Sequence, residues 1–213
     1  MNQFLNTVLL TYAALFPIVN PIGSAPVFLG LTRDQSPTER AGLAWGVARN
    51  CFLLLLGAVF VGSHVLEFFG ISLGALRIGG GLAVTAFGWN LLNSGVREGH
   101  REAAGASKTD TFYPLTMPLT VGPGSISVAI TLGSQRPTDL ALTHLALLGA
   151  AAIAGLLAIA ATIYLCYRFA ERLVGLLGTG GTNVVVRLSA FILLCIGIQI
   201  IWSGWSELTA LAR

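Results

Sequence analysis

The stretch FPIVNPIGSAP, residues 16–26, interrupts a long apolar run with three prolines: Pro17, Pro21 and Pro26. The same spacing returns 97 positions later, at Pro114, Pro118 and Pro123. Three prolines within ten residues disfavour one continuous helix, because each removes a backbone hydrogen bond and clashes with the preceding turn. The sequence therefore predicts two broken helices that are related by an internal repeat.

Each proline group predicts a helix, a short irregular segment and a new half-helix. In the first copy we expect a helix to about Phe16, an irregular stretch VNPIGSA over residues 19–25, and a half-helix from Pro26. Proline suits that first position, since its missing N–H would have no helical partner there. In the second copy the half-helix is expected to begin at Pro123, directly after Gly122.

The composition of the chain predicts a membrane protein. Of 213 residues, 54% are hydrophobic and 10% charged, and the mean hydropathy is +0.79, whereas soluble domains carry about 25% charged residues. This composition nearly excludes a water-soluble enzyme or a nucleic-acid binder. At about 20 apolar residues per span, six candidate spans emerge. They lie near residues 4–31, 42–63, 71–94, 111–133, 140–167 and 185–207.

Six spans in two units of three predict an inverted repeat, because an odd number of spans turns the second unit upside down. The predicted architecture is one all-α transmembrane domain over residues 1–213, with the first helix of each unit broken or re-entrant. The first unit covers about 1–96, a connector 97–110, and the second unit about 111–213. Seven basic residues in connectors 32–40, 97–110 and 168–184 oppose two on the other face. This asymmetry predicts a multi-pass cell-membrane protein with both termini outside.

The two breaks together predict one polar site near the bilayer midplane. Irregular backbone at that depth requires a protein or water environment, since each unpaired polar group costs several kcal/mol. Half-helix N-termini favour a carboxylate and freed carbonyls hold an ammonium, which indicates a small zwitterion. The candidate substrate-binding residues are Asn20, Pro21, Gly23, Ser24, Asn90, Thr116, Pro118, Gly122, Pro123, Gly124, Ser125 and Gln199.

The segments NPIGSAPVFLGLT (20–32) and PLTMPLTVGPGSIS (114–127) resemble the paired signatures of the MarC family of integral membrane proteins. The resemblance covers essentially the whole chain. It implies a six-span fold and, for the activity, transport of small neutral amino acids such as alanine or glycine. Met117 stands where the first copy has Asn20, so we expect a site that is symmetric in backbone but not in side chains.

Three functions remain open from the sequence. A transporter or exporter of small neutral solutes is the leading hypothesis, and an aquaporin-like channel for water or small neutral solutes is the alternative, since Asn-Pro also opens pore half-helices. The third is a non-transporting membrane scaffold. No catalytic motif, metal-ligand spacing or cofactor signature occurs, and the three cysteines have no metal or disulfide spacing.

The expected partners are the lipid bilayer and a small neutral amino acid or similar solute, without nucleic acid. Every acidic residue falls in a connector or at a span end, which disfavours a midplane carboxylate relay. Coupling to Na⁺ through backbone carbonyls, to a proton, or to no ion all remain open, as does a homo-oligomer. Arg77 and Arg187, near the starts of the third and sixth spans, are expected to reach the interface or stabilise a gate.

Overall fold

The computed structural model describes residues 2–94, 110–135 and 142–211. Most of the predicted connector 97–110 lies outside these ranges. Within them the regular structure is helical, apart from one isolated bridge between Asp110 and Pro114. The seven helices are α1 (Asn2–Val19), α2 (Pro21–Leu31), α3 (Pro37–Phe68), α4 (Leu73–Ser94), α5 (Pro123–Ser134), α6 (Leu142–Arg168) and α7 (Ala170–Leu211).

The prediction of an all-helical membrane protein is confirmed, although the described residues supply fewer clear spans than the six predicted. Three helices are long and apolar enough to cross a membrane: α3, most of α6 and α7. A fourth span results if α1 and α2, bent by 44° at their junction, count as one. Helix α4 is about 33 Å long, but five glycines, Arg77 and Asn90 dilute its apolar character. Helix α5, with 12 residues, covers only about half of the hydrocarbon core.

The first break is shorter than predicted. The expected irregular stretch 19–25 and half-helix start at Pro26 are wrong, because α1 continues to Val19 and α2 already begins at Pro21. Pro17 and Pro26 both lie inside helices, where each removes only one hydrogen bond. The whole break is Asn20, with left-handed φ 47° and ψ 54°, a conformation that asparagine tolerates better than most residues.

The second break matches the prediction at its end but not at its beginning. Helix α5 begins at Pro123 with Gly122 as its N-cap, as expected. Residues 110–122 form turns instead of the membrane helix predicted from about residue 111. The peptide bonds before Pro114 and Pro118 are cis. Backbone hydrogen bonds of turns replace the helix here, among them those from the Met117 N–H to the Phe112 carbonyl and from the Val121 N–H to the Thr116 carbonyl, both at 2.9 Å.

The predicted connector 168–184 is also mostly helical. Helix α7 begins at Ala170 and continues to Leu211, so it is much longer than the predicted span 185–207. Its one non-helical residue is Gly178, with φ 64° and ψ −179°. Glycine adopts this backbone conformation readily, whereas residues with a Cβ are strained in it. The chain can therefore change direction at this single residue and continue as a helix after it.

Helices α4 and α7 form the most extensive contact in the described structure, as a close antiparallel pair. Small residues face each other at intervals of seven along both helices, which keeps them on one face. A Cβ placed on Gly81 would lie 2.8 Å from the Gly197 carbonyl oxygen. Much of the glycine excess therefore serves backbone contact between helices. The facing pairs are Gly74 with Gly204, Gly81 with Gly197, and Gly88 with Ala190.

Candidate functional site

Two adjacent cavities lie where the broken segments meet α4. The first, about 170 Å³, is bounded by Ile18 at the end of α1, residues 118–120 and 122–125, three residues of α4, and Leu193. The second, about 110 Å³, is bounded by residues of α2 from Gly23 to Leu31 and by the 113–119 segment, with Phe87 and Leu91 of α4. Both cavities are lined by Phe87, Pro118 and Leu119. These three residues therefore form the partition between them.

The N-terminus of α5 opens into the first cavity. Its N-cap, Gly122, provides no side-chain cap, and Pro123 has no N–H. The N–H groups of Gly124 and Ser125 belong to the first turn and have no intrahelical acceptor. The Ser125 hydroxyl donates to the Gly122 carbonyl at 2.9 Å, so it is occupied locally. Backbone donors and the positive end of the helix dipole thus line this wall of the cavity.

The C-terminal end of α1 borders the same cavity through Ile18. Carbonyls of the last helical turn have no intrahelical donors, and they carry the negative end of the dipole. Pro21 adds to this effect, since it has no N–H to offer the Pro17 carbonyl. One cavity is therefore bordered by helix ends of opposite polarity, and no charged side chain lines it.

Asn20 acts as the cap of the first break. Its Oδ1 accepts a hydrogen bond from the Gly23 N–H at 3.2 Å, whereas its buried Nδ2 has no hydrogen-bond partner. A Cβ on Gly23 would collide with this folded-back amide, so the two residues depend on each other. The sequence predicted Asn20 as a substrate-binding residue. In the structure it caps α2 with one atom and retains an unused donor on the other.

The hydroxyl groups of Thr120 and Tyr167 form a buried pair beside the first cavity. Thr120 donates to the Leu115 carbonyl at 2.7 Å and accepts from the Tyr167 hydroxyl, also at 2.7 Å. Tyr167 is fully buried and stacks on Phe28 of α2, with 4.3 Å between ring centroids. Sequence analysis missed Tyr167, because a tyrosine beside Arg168 at a span end is typical of the membrane interface.

Thr116 lines neither cavity, and its hydroxyl is used in hydrogen bonds within the protein. Its hydroxyl donates to the Thr111 carbonyl at 2.6 Å and accepts from Asn50 Nδ2 at 3.5 Å. Asn50, on α3, was not predicted either. The sequence feature that could have indicated Asn50 is an amide side chain inside an apolar span, and the structure shows it half-buried.

The remaining predicted residues divide into two groups. Asn20 and Pro21 form the break beside the cavities, while Asn90 and Gln199 are exposed on α4 and α7 and line neither cavity. The internal repeat relates positions in the two units, but it does not show which face of a helix packs against the cavities. The sequence alone therefore could not show that these two amides lie outside the site. The predicted residues that line a cavity are Gly23, Ser24, Pro118, Gly122, Pro123, Gly124 and Ser125.

The charged side chains of the described residues lie away from both cavities. Arg77 forms an ion pair with Glu207 at 2.6 Å, which ties the start of α4 to the end of α7. Arg187 is exposed on α7. Across residues 2–94, 110–135 and 142–211, no group of three or more His, Cys, Asp or Glu side chains is placed to bind a metal. The chemistry available at the cavities is therefore neutral hydrogen bonding to backbone and hydroxyl groups.

These features define a class: a helical membrane protein whose proline-broken helices line small, uncharged cavities. The sequence matches the description "MarC family integral membrane protein" over residues 5–209, and the chain belongs to this family. A Salmonella typhimurium protein named "UPF0056 inner membrane protein MarC" is 30% identical over 218 residues, which cover 98% of each chain. No solved structure matches the chain.

Similar proteins also occur in distant organisms. A "UPF0056 membrane protein" of Buchnera aphidicola subsp. Schizaphis graminum is 29% identical, over 91% of this chain and 89% of its own. One of the same name from Archaeoglobus fulgidus is 28% identical, over 92% of this chain and 91% of its own. The printed names describe location without an activity.

Proposed function

We propose that this protein is a transporter or exporter of small neutral amino acids, such as alanine or glycine, which bind in the first cavity. The observation that carries the proposal is the meeting of opposite helix ends at one uncharged cavity. The first-turn N–H groups of α5 would bind the carboxylate, and the free carbonyls at the end of α1 would bind the ammonium. A zwitterion has no net charge, so no charged side chain is needed to neutralise it. The N–H and carbonyl groups at the helix ends would replace the water that its carboxylate and ammonium lose on binding.

The size of the cavity supports a small substrate. About 170 Å³ is well below the roughly 300–1,000 Å³ of sites for drug-sized ligands. Ile18, Ala83, Val84 and Phe87 give the remaining walls an apolar surface. Such walls accept a hydrogen or a methyl group, and they disfavour a polar or charged side chain.

We further propose that the chain adopts six spans in two inverted repeats, with α1 and α2 equivalent to α5, α3 to α6, and α4 to α7. The helix contacts support this assignment. On exchange of the units, the contact of α3 with α5 corresponds to that of α1 with α6, and α4 with α5 corresponds to α2 with α7. The facing pair Gly81 and Gly197 becomes Ala190 and Gly88 when each residue is replaced by its counterpart 109 positions away.

The proposed arrangement includes location in the cell membrane with both termini outside. A reporter tag at each terminus, tested for protease access in intact cells, examines this orientation. Cleavage of both tags from outside supports it, whereas protection of either tag contradicts the inverted pair of three-span units. Labelling of single cysteines introduced at Ser36 and Leu177 supplies the complementary test, since both positions should be accessible only from the cytoplasm.

The transport test uses the purified full-length chain in liposomes. Uptake of labelled alanine and glycine should saturate with concentration and be inhibited by each unlabelled amino acid. Fast, non-saturating entry of water or small solutes would favour the channel instead. Neither flux nor binding across all neutral amino acids would favour a scaffold. Imposing a Na⁺ gradient, a pH gradient or neither then shows which ion, if any, drives uptake.

A further inference from the structure

A groove of about 420 Å³ lies outside the transport cavities, at the junction between α6 and α7. The first turn of α3 forms one wall, and the junction residues Arg168, Phe169, Glu171 and Arg172 form the other. Helix α6 is one of the helices that are long and apolar enough to span a membrane, and it ends at Arg168. The groove therefore opens where the hydrocarbon core gives way to lipid headgroups.

Two guanidinium groups face this groove around a single aromatic ring. The Cζ atoms of Arg168 and Arg172 lie 5.9 Å and 5.5 Å from the centroid of the Phe169 ring. Cation–π contact at this distance restrains both side chains without consuming their N–H donors. The two arginines are thus held together while their hydrogen-bonding edges stay available.

The positive charge of this pair is not neutralised by the described residues around it. Glu171 lies in the same groove, but its carboxylate pairs with Arg40 at 3.1 Å. The ion pairs found within the described ranges are that one and the pair of Arg77 with Glu207. Arg168 and Arg172 therefore leave a local charge of two, which an anion would balance.

The surface beside the arginines is apolar and uncovered. Phe169 is 42% exposed, and Leu176, in the short helical stretch before Gly178, is 88% exposed. Basic residues beside exposed leucine and phenylalanine are typical of a segment that lies in the membrane interface. A soluble anion would leave these side chains in water, whereas a lipid would supply both the charge and the acyl chains.

We propose that this groove binds the headgroup of an anionic phospholipid, with the phosphodiester between Arg168 and Arg172 and the acyl chains along Leu176. Guanidinium groups present paired N–H donors that match phosphate oxygens, which makes two arginines a strong phosphate ligand. Basic pockets between helices on the cytoplasmic side of membrane proteins commonly bind such headgroups. The site is independent of the transport proposal, since it shares no residue with either cavity.

The test measures lipid binding to the purified full-length chain in detergent, by native mass spectrometry and by the shift of the thermal unfolding midpoint. Dioleoyl-phosphatidylglycerol is compared with dioleoyl-phosphatidylcholine, which has the same acyl chains and no net charge. We expect preferential binding of phosphatidylglycerol, and a loss of about tenfold or more in Arg168→Gln/Arg172→Gln. Arg187→Gln is the control for removal of a positive charge, because Arg187 is exposed on α7, the helix that also carries Arg172, but lies outside the groove.

Three results would overturn the proposal. They are equal binding of the two lipids, an equal loss in the Arg187→Gln control, and displacement of phosphatidylglycerol by an equal concentration of inorganic phosphate, which would indicate a free-anion site. Circular dichroism shows whether the double variant folds. If it does not, Arg168→Lys/Arg172→Lys keeps the charge and removes the planar fork, and a weaker preference for phosphatidylglycerol is then the expected result.

Discussion

The hydroxyl groups of Tyr167 and Thr120 lie 2.7 Å apart, and their hydrogen bond joins α6 to the turns that precede α5. The Tyr167 ring also stacks on Phe28, in the helix that follows the first break. One buried side chain therefore contacts the surroundings of both breaks. This arrangement makes Tyr167 a support for the geometry of the cavities, although it lines neither of them.

Removal of this hydroxyl should lower stability without removing the ring stack. We expect Tyr167→Phe to reduce the free energy of unfolding by about 1 kcal/mol, the usual net contribution of one hydrogen bond. Thermal unfolding in detergent measures the change. Tyr164→Phe, in the same helix, is the control and should have little effect, since the structure records only ring contacts for Tyr164. An equal loss in both variants would argue against a special role for the Thr120 contact.

Asn20→Gly should weaken substrate binding while preserving the fold. Glycine adopts the left-handed conformation of this break without strain, and it costs only a few tenths of a kcal/mol as an N-cap. The variant therefore removes chiefly the buried Nδ2 donor. Asn20 lines neither cavity, so the effect on binding would act through the end of α1, where Ile18 borders the first cavity. We expect alanine affinity in proteoliposomes or by calorimetry to fall about three- to tenfold. A folded variant with unchanged affinity would show that Asn20 does not position the end of α1 for the substrate.

Phe87→Ala should widen the range of transported amino acids. Phe87 lines both cavities, so its truncation should join them into one larger space. We expect the ratio of leucine to alanine uptake to rise about tenfold, in line with the 1–3 kcal/mol that one methylene is worth in a pocket. Phe191→Ala, on an exposed face of α7, is the matched control. An unchanged ratio in a variant that still transports alanine would show that Phe87 does not set the size limit.

The glycine triplet of α4 offers a comparison of two neighbouring substitutions. Gly81→Ala should destabilise the fold by about 1–3 kcal/mol, because the added methyl group meets the backbone of α7. Gly79→Ala should be neutral or stabilising by up to about 1 kcal/mol, since nothing lies within 4 Å of a Cβ there and alanine favours the helix. Unfolding in SDS titrations measures both. Similar effects at the two positions would contradict the close pairing of α4 and α7.

Gly124 is a predicted site residue that also packs tightly against α4. It lines the first cavity, where a large side chain would fill the site. A Cβ on Gly124 would, however, collide with Val84 and approach the Gly80 carbonyl oxygen at 3.2 Å. Any such variant would displace α5 from α4, so loss of binding would not distinguish site from fold.

The membrane class, the presence of two breaks and the start of α5 at Pro123 could all be predicted from the sequence alone. The membrane class follows from the composition of the whole chain, and the breaks follow from the missing N–H of proline, which acts on the neighbouring helical turn. The family resemblance likewise depended on short motifs around the same prolines. Composition and the missing N–H of proline indicate that the helices break near these residues, while the exact position of each break depends on packing.

The extent of the first break, the role of Tyr167 and the set of predicted residues that meet at the cavities depend on how the helices pack. A proline can lie inside a helix or at its end, and the choice depends on which backbone groups find partners elsewhere in the fold. The same applies to Asn90 and Gln199, since a helix face becomes buried or exposed only when another helix packs against it. The antiparallel glycine pairing of α4 and α7 settles that choice by bringing backbone against backbone, which turns the two amides away from the cavities.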